Sequence, residues 1–441
     1  MSSSTPRRGD FQVHKNDILS GESCKYLVRE LKGQGTFGKV VSCVRLDTTE
    51  CVAVKIIKRH LTWAGKKEAA AFKHISLLAL KESNLVRFYE SFMHKGHMCL
   101  VLEMLDQTLE DLMRVRRQSP LSEIRVVSQQ MLGALKALKS IGLVHADIKP
   151  DNVMLVNRMQ QPFTVKLIDF GCATPVSRIK RGTIHQTLGY RAPEVILGLP
   201  IDESADMWSL GCVLAYMYLS RHLYPIRCEY EVMRILVQMQ GQPDDRLLDA
   251  GIHTQTFFSK NKDSTNQEWR LNTWAEYKQA TGLTSQPGQS ISNQFSCIDD
   301  LTKERPKPET IREHEDTRAF VSLLRRMLRV VSVTRVTPAE ALQHSPETLP
   351  RDMDPDPYVT SSCVCPTQDS AAPHCEPASP EDPSSGNNKG STSDAAPPTV
   401  GPADQHEVLS RSDDRSTGFV SVQTQRNRER GFCSVCCCCI Q

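Results

Sequence analysis

The chain has 441 residues, of which 39% are hydrophobic and 24% charged, enough to build a buried core of ordinary size with residues to spare for a tail. A formal net charge of +3 is too mild for a nucleic-acid binder, which leaves a clustered basic face, and short runs such as Lys58-Arg59-His60 and Lys66-Lys67 read as solvated surface. No run of eighteen apolar residues occurs and no apolar core comes after Met1-Ser2-Ser3-Ser4, so neither a membrane span nor secretion is expected; eight of the 16 cysteines are scattered before residue 300, as reduced cytosolic thiols would be.

In chain order, residues 1–25 read as a short flexible lead. Residues 26–31, 40–45 and 51–57 are short, β-branched and divided by Gly or polar turns, which predicts three strands opening a small sheet. A helix is expected over 66–81, then strands over 85–91 and 98–102. Residues 122–141 carry Ile124, Val127, Met131, Leu135 and Leu138 at helical spacing, and the second part of the domain is mainly helix. A β-rich beginning succeeded by helices is the α+β order: a small N-lobe over 26–105, a larger helical C-lobe over 106–344, and no internal repeat. After Pro346 the composition turns to Pro, Ser, Asp, Thr and Gly, so 345–441 is expected to be a disordered tail.

Four motifs carry chemistry. Gly33-Gln34-Gly35-Thr36-Phe37-Gly38-Lys39-Val40 lies between two strand-like runs, where glycines let backbone amides approach phosphates. A flexible hairpin and a dinucleotide fingerprint are the rival readings, but the latter needs a helix next and a strand comes instead. Val52-Ala53-Val54-Lys55 sets an ammonium on a strand beneath that loop, within reach of α- and β-phosphates. His145-Ala146-Asp147-Ile148-Lys149-Pro150-Asp151-Asn152 supplies a carboxylate, a cation and an amide in one segment: Asp147 to orient and deprotonate a hydroxyl, Lys149 to neutralise charge on a transferred phosphoryl, and Asn152 to hold magnesium. Asp169-Phe170-Gly171 succeeds the apolar run 165–168 and offers a second carboxylate for Mg2+, ahead of Ala192-Pro193-Glu194.

In this order the motifs resemble the eukaryotic protein kinase family over about residues 26–344. The resemblance implies the two-lobed fold and transfer of phosphoryl from ATP, with Mg2+, to Ser/Thr hydroxyls of proteins, lysine at 149 being the serine/threonine form. It further implies ATP contacts at Gly33, Gly35, Gly38, Val40, Ala53 and Lys55, a gatekeeper at Leu102, an adenine hinge from Glu103 to Leu105, magnesium on Asn152 and Asp169, and a structural ion pair between Glu194 and Arg335. His145-Ala146-Asp147, the run 99–105, Ile196-Leu197-Gly198-Leu199-Pro200, the run 206–212 and Leu223-Tyr224-Pro225 are similar to the homeodomain-interacting protein kinases. That subfamily stands with the cyclin-dependent, mitogen-activated and dual-specificity tyrosine-regulated kinases, so Ser-Pro/Thr-Pro substrates, transcriptional regulators among the partners and a nuclear setting are implied. Residues 241–315 are expected to form the insertion of that group.

The chain also departs from the pattern. Ile184 stands where the subfamily has an autophosphorylated tyrosine, Leu188 where an arginine would bind a phosphate, and Ala146 where most kinases have arginine, leaving Thr183 and Thr187 as loop hydroxyls. Matching Ile75-Ser76-Leu77-Leu78 to the family puts Lys73 or His74 where a glutamate should grip Lys55. Either the match slips by a turn and Glu68 serves, or the protein is a catalytically poor pseudokinase that binds nucleotide or partners as a scaffold. Finally, Cys438-Cys439-Ile440-Gln441 has the form of a prenylation signal, with Cys436 and Cys437 as palmitoylation sites and Arg426, Arg428 and Arg430 nearby; it points to a membrane surface reached from the cytoplasm. A metal site on these cysteines and a featureless end are the competing readings.

Overall fold

The computed structural model describes residues 12–76, 78, 83–116, 118–260, 269–283, 295–305 and 310–343. The N-lobe is one antiparallel sheet: β1 (Ile18–Ser20), β2 (Lys25–Gln34), β3 (Gly38–Arg45), β4 (Cys51–Ile57), β5 (Phe88–His94) and β6 (His97–Glu103), in the order β1-β2-β3-β4-β6-β5. Val28, Val41, Val52, Val54 and Val101 alternate into a buried layer with Tyr26 and Leu19, the period-2 pattern that fits β-branched residues to a half-buried sheet. The expected lead is therefore ordered in part: Leu19 is fully buried, β1 pairs with β2, and Ser23 N–H donates to Glu90 at 3.0 Å.

The single N-lobe helix among the described residues, α1 (Thr62–Ile75), starts and ends earlier than the 66–81 its sequence suggests. Its inward side is built from Ala64, Gly65, Glu68, Ala69, Ala71, Phe72 and Ile75. Gly65 permits the close approach: a β-carbon there would lie 3.1 Å from both Ile57 and Met98.

The C-lobe begins with α2 (Leu109–Val115), capped by Thr108 and Asp111 in a reciprocal box, and α3 (Leu121–Ser140), whose Ile124, Val127, Met131, Leu135 and Leu138 are all buried as their spacing predicts. Short strands come next: β7 (Leu143–Val144), β8 (Val153–Asn157), β9 (Gln161–Leu167) and β10 (Thr174–Pro175), with β8 paired to β9 and β7 to β10. Then come α4 (Pro193–Leu197) and α5 (Ser204–Leu219), which is buried on every side and so forms the axis of this lobe. Beyond it lie α6 (Glu229–Gln240), α7 (Asp245–Ala250), α8 (Thr254–Phe257), the hairpin β11 (Phe258–Lys260) and β12 (Trp269–Leu271), and α9 (Trp274–Thr281). Last are α10 (Ile311–Met327) and α11 (Pro338–Gln343). The described part of the 241–315 insertion is folded into the main core through Phe257, Phe258, Trp269, Tyr277 and Leu301. No helix among the described residues is long and apolar enough to cross a membrane. Cys436, Cys437 and Cys438 lie outside the described residues.

Candidate active site

Lys55 sits mid-strand on β4, paired with Val40 on one side and Leu100 on the other. Its Nζ donates to both carboxylate oxygens of Glu68 at 2.9 Å and to Asp169 Oδ1 at 3.0 Å. Of the two readings left open by the sequence, the slipped match holds: Glu68 is the partner of Lys55. Because α1 is displaced toward its N-terminus, Glu68 falls on the buried side one turn before Phe72, while Lys73 and His74 occupy the exposed last turn.

The three charges are not equivalent. Burial works against the Lys55 ammonium, but Asp169 and Glu68 outweigh it and hold the group more firmly protonated than usual. The same burial pushes the Glu68 carboxyl up to about 7, against the pull of Lys55. Asp169 keeps 39% of its side chain exposed toward the cleft; Lys55 and the Gly171 N–H hold it at about 2 against desolvation. Asp169 and Glu68 together balance the positive charge of Lys55, and Glu68 also fixes its position through two hydrogen bonds.

A row of rings fixes this clamp to the C-lobe. Phe88 stacks on Phe72 at 4.8 Å between centroids, Phe72 meets Phe170 at 5.2 Å, and Phe170 meets the edge of His145 at 5.0 Å. Phe170 is fully buried, which turns Asp169 the other way, toward Lys55.

The catalytic loop is braced from below by Asp206 on α5. Its carboxylate accepts the N–H groups of His145 at 2.6 Å and Ala146 at 2.9 Å, and burial raises its pKa above the ordinary aspartate value despite these bonds. Ala146 has φ +64°, a left-handed conformation that a residue with a β-carbon holds only when its surroundings enforce it. Above this brace, Asp147 Oδ2 accepts from Lys149 Nζ at 3.0 Å and Asn152 Nδ2 at 3.0 Å, and Asp147 Oδ1 accepts from the Thr187 hydroxyl at 2.7 Å. Lys149 Nζ also reaches Thr187 Oγ1 at 3.2 Å. Burial opposes the Lys149 ammonium, but Asp147 more than compensates and raises its pKa. Thr187 is thus tied to the catalytic residues rather than presented as a free loop hydroxyl.

Gln186, which the sequence did not single out, and Arg191, the arginine ahead of Ala192-Pro193-Glu194, hold the segment between Asp169 and Pro193. Gln186, buried and at φ +69°, donates from Nε2 to Ala205 O at 2.9 Å and Ser209 Oγ at 2.8 Å, and its Oε1 accepts Ala192 N–H at 2.9 Å. Its own N–H donates to Ala146 O at 3.0 Å. Arg191 donates to the carbonyls of His185 and Gln186 and pairs with Glu229. Glu194 and Arg335 meet as the kinase resemblance implies, at 2.7 and 2.9 Å and essentially without solvent exposure.

The upper wall is formed by the glycine turn between β2 and β3 and by the strands beside it. Gly33 faces open space, with no heavy atom within 4 Å of where a β-carbon would stand, whereas a β-carbon on Gly38 would strike Ile56 O at 1.9 Å. Gly35 N–H donates to Gly38 O at 2.9 Å and closes the turn. Ala53 pairs with Leu102 across the sheet, and Leu105 is buried beneath the segment leaving β6. Glu103 carries an unforeseen partner: Lys166 on β9 donates to both its oxygens at 2.6 and 2.8 Å, while Arg87 N–H donates to Oε1 at 2.6 Å.

The protein kinase domain model matches residues 26–345. This chain belongs to the eukaryotic protein kinase family. It is similar to the homeodomain-interacting protein kinases: it is 42% identical over 355 residues to homeodomain-interacting protein kinase 2 of Mus musculus, covering 78% of this chain and 30% of that protein. It is 41% identical to kinase 1 of Rattus norvegicus, over 78% of this chain and 29% of the relative. Kinase 4 of Homo sapiens is 35% identical over 344 residues, 74% of this chain and 55% of the relative. The chain thus spans less than a third of the length of the first two.

Proposed function

We propose that this protein transfers the γ-phosphoryl group of ATP, with magnesium, to serine or threonine hydroxyls of protein substrates, preferring Ser-Pro and Thr-Pro sites. The observation that carries the reading is the Lys55 ammonium held between Glu68 and Asp169 beside an Asp147–Lys149–Asn152 cluster. Lys55 binds and orients the α- and β-phosphates from β4, under a turn whose Gly33 leaves room for them. Asp147 accepts the proton of the attacking hydroxyl, and Lys149 offsets charge on the transferred group.

The donor set suits Mg2+, a hard cation that takes carboxylate and amide oxygens together with phosphate. Asn152 spends its amide N–H groups on Asp147 O and Oδ2, leaving Oδ1 to face a ligand, and Asp169 spends Oδ1 on Lys55 and Gly171, leaving Oδ2. Held by Asn152 and Asp169, magnesium would supply positive charge to offset that of the phosphates.

Preference for proline after the phosphoacceptor is supported by Gln186. Its carbonyl is already engaged by Arg191 Nε at 3.2 Å and an Arg191 terminal nitrogen at 2.9 Å, so it is not free to accept a substrate N–H. Proline, which has no N–H, leaves nothing unsatisfied there. The relatives' shared name extends the proposal to transcriptional regulators as substrates, with a nuclear location for such reactions. The sequence at Cys436, Cys437 and Cys438 supports a second, cytoplasmic pool at membranes through lipidation.

Transfer from Mg-ATP to paired Ser-Pro and Ser-Ala peptides by the full-length chain, beside Asp147→Asn and Lys55→Met, tests the reading. Activity on Ser-Pro, lost in both variants, is expected. Nucleotide binding without transfer, under conditions where a related kinase is active, favours a pseudokinase scaffold instead.

A further inference from the structure

The outer face of α1 takes no part in the chemistry, yet it is not composed like a solvated helix. Trp63, Lys66, Ala70, Lys73 and His74 recur at three- and four-residue spacing and are exposed, opposite the buried Glu68 and Phe72. The one carboxylate between Lys58 and Ile75 is Glu68, and it is buried against Lys55. The i,i+4 acid–base pairs that normally neutralise an exposed helix therefore cannot form within this one. Exposed Arg59, in the turn just before the helix, adds another cation.

Trp63 stands 52% exposed among these charges, the kind of large aromatic that anchors interfaces. At the other end of the helix, a cleft of about 480 Å³ opens between His74, Ile141, Gly142 and the stretch 175–178, and Arg178 lines it. Cations that the sequence scatters in short basic runs, the fold gathers on one side.

We infer that this face, from Trp63 to the His74–Arg178 cleft, docks an acidic segment of a partner protein. Its carboxylates meet Lys66, Lys73 and Arg178, and an apolar residue of the segment covers Trp63. An anionic membrane would meet the same cations, but a lipid surface favours a broad apolar face that inserts, and a single tryptophan beside a concave cleft suits a polypeptide better. The opposite side of α1 holds Glu68, and Lys67 Nζ donates to Cys172 O at 3.2 Å, three residues beyond Asp169. Occupancy of the outer face therefore favours the position in which Glu68 grips Lys55, and by linkage Mg-ATP and the partner strengthen each other's binding. The docking surface stands apart from the phosphoryl-transfer reading; only this coupling rests on it.

The probe is a short fluorescent peptide of Asp and Glu with a central Phe-Leu, titrated by anisotropy into the full-length chain, its Lys66→Glu/Lys73→Glu variant and Trp63→Ala. Affinity should fall about tenfold or more in the double variant and weaken with salt. It should fall about fivefold in Trp63→Ala. Basal transfer and melting should be unchanged in both, since these side chains are exposed. Mg-ATP should tighten the peptide on the unmutated chain, and failure to do so removes the coupling while leaving the surface. Equal peptide affinity in the unmutated chain and the double variant overturns the inference. So does retention on phosphatidylserine-containing vesicles without peptide binding, which would make the face a lipid site.

Discussion

Replacing Glu68 with glutamine should move stability and catalysis in opposite directions. The nucleotide-free site buries this carboxyl, whose titration is pushed from an ordinary 4.5 to about 7. Between those values the native state keeps a proton that the unfolded chain has released, so stability falls as pH rises through the interval. At about 1.4 kcal/mol per pH unit, the span amounts to about 3 kcal/mol lost by pH 8. Glutamine resembles the protonated form: it accepts one bond from Lys55 and cannot ionise. Near pH 5 Glu68→Gln and the unmutated chain should therefore melt together, and by pH 8 the variant should be the more stable by up to about 3 kcal/mol. Transfer activity should nevertheless drop, because one contact to Lys55 is lost and the phosphates are held less firmly in place. We would expect a loss of about 10- to 100-fold in kcat/KM for ATP, equivalent to about 1.4–2.7 kcal/mol. Thermal melts of the metal-free chain from pH 5 to 8.5, paired with kinetics, decide it. A variant that is less stable at pH 8, with an unchanged pH slope, would refute the reasoning and make the Lys55–Glu68 pair a net stabiliser.

Arg335→Ala leaves Glu194 charged and buried, so a loss of about 3–5 kcal/mol by denaturant titration is expected, with partial recovery in Glu194→Gln/Arg335→Met. Asp206→Asn turns an amide N–H toward one of the two backbone donors at His145 and Ala146; about 2–4 kcal/mol of stability should go, and kcat should fall with little change in KM for ATP. Lys166→Met leaves Glu103, at the start of the hinge segment, with only the Arg87 N–H of these two partners, and KM for ATP should rise about three- to tenfold with kcat nearly constant. A kcat loss as large as the KM rise would place Lys166 in the chemistry instead.

Legibility in the sequence tracked the size of the physical signal. β4 is found at residues 51–57 as expected, because alternation of branched residues between turns has few other uses, and α3 shows its buried stripe in five large side chains. The catalytic loop and Asp169-Phe170-Gly171 were readable because several chemically distinct residues fall at fixed spacing. α1 was misplaced for the opposite reason. Its packed side is largely Ala64, Gly65, Ala69 and Ala71, small residues suited to close approach to the sheet, with Phe72 and Ile75 as its only large apolar side chains. The clue was available in Glu68, Phe72 and Ile75, which share one side at four- and three-residue spacing. β1 has only three residues, too few for any period, and Gln186 is a lone amide whose role arises entirely from tertiary contacts.

The same contacts bear on how the site is kept assembled. Kinase loops ordered by phosphorylation rely on cations that meet the phosphate; positions 146, 184 and 188 of this chain hold Ala, Ile and Leu, none of which carries a charge or a modifiable hydroxyl. The bonds that hold the segment are already present without added charge. Gln186 spends its side-chain amide on Ala205, Ser209 and Ala192 and its backbone N–H on Ala146, whose own N–H is anchored by Asp206. Arg191 then joins the segment to Glu229 on α6, and Leu188 packs against the main core. This latch runs from α5 through Ala146 to Thr187 and so to Asp147, linking the strained φ of Ala146 and Gln186 to the position of the reacting carboxylate.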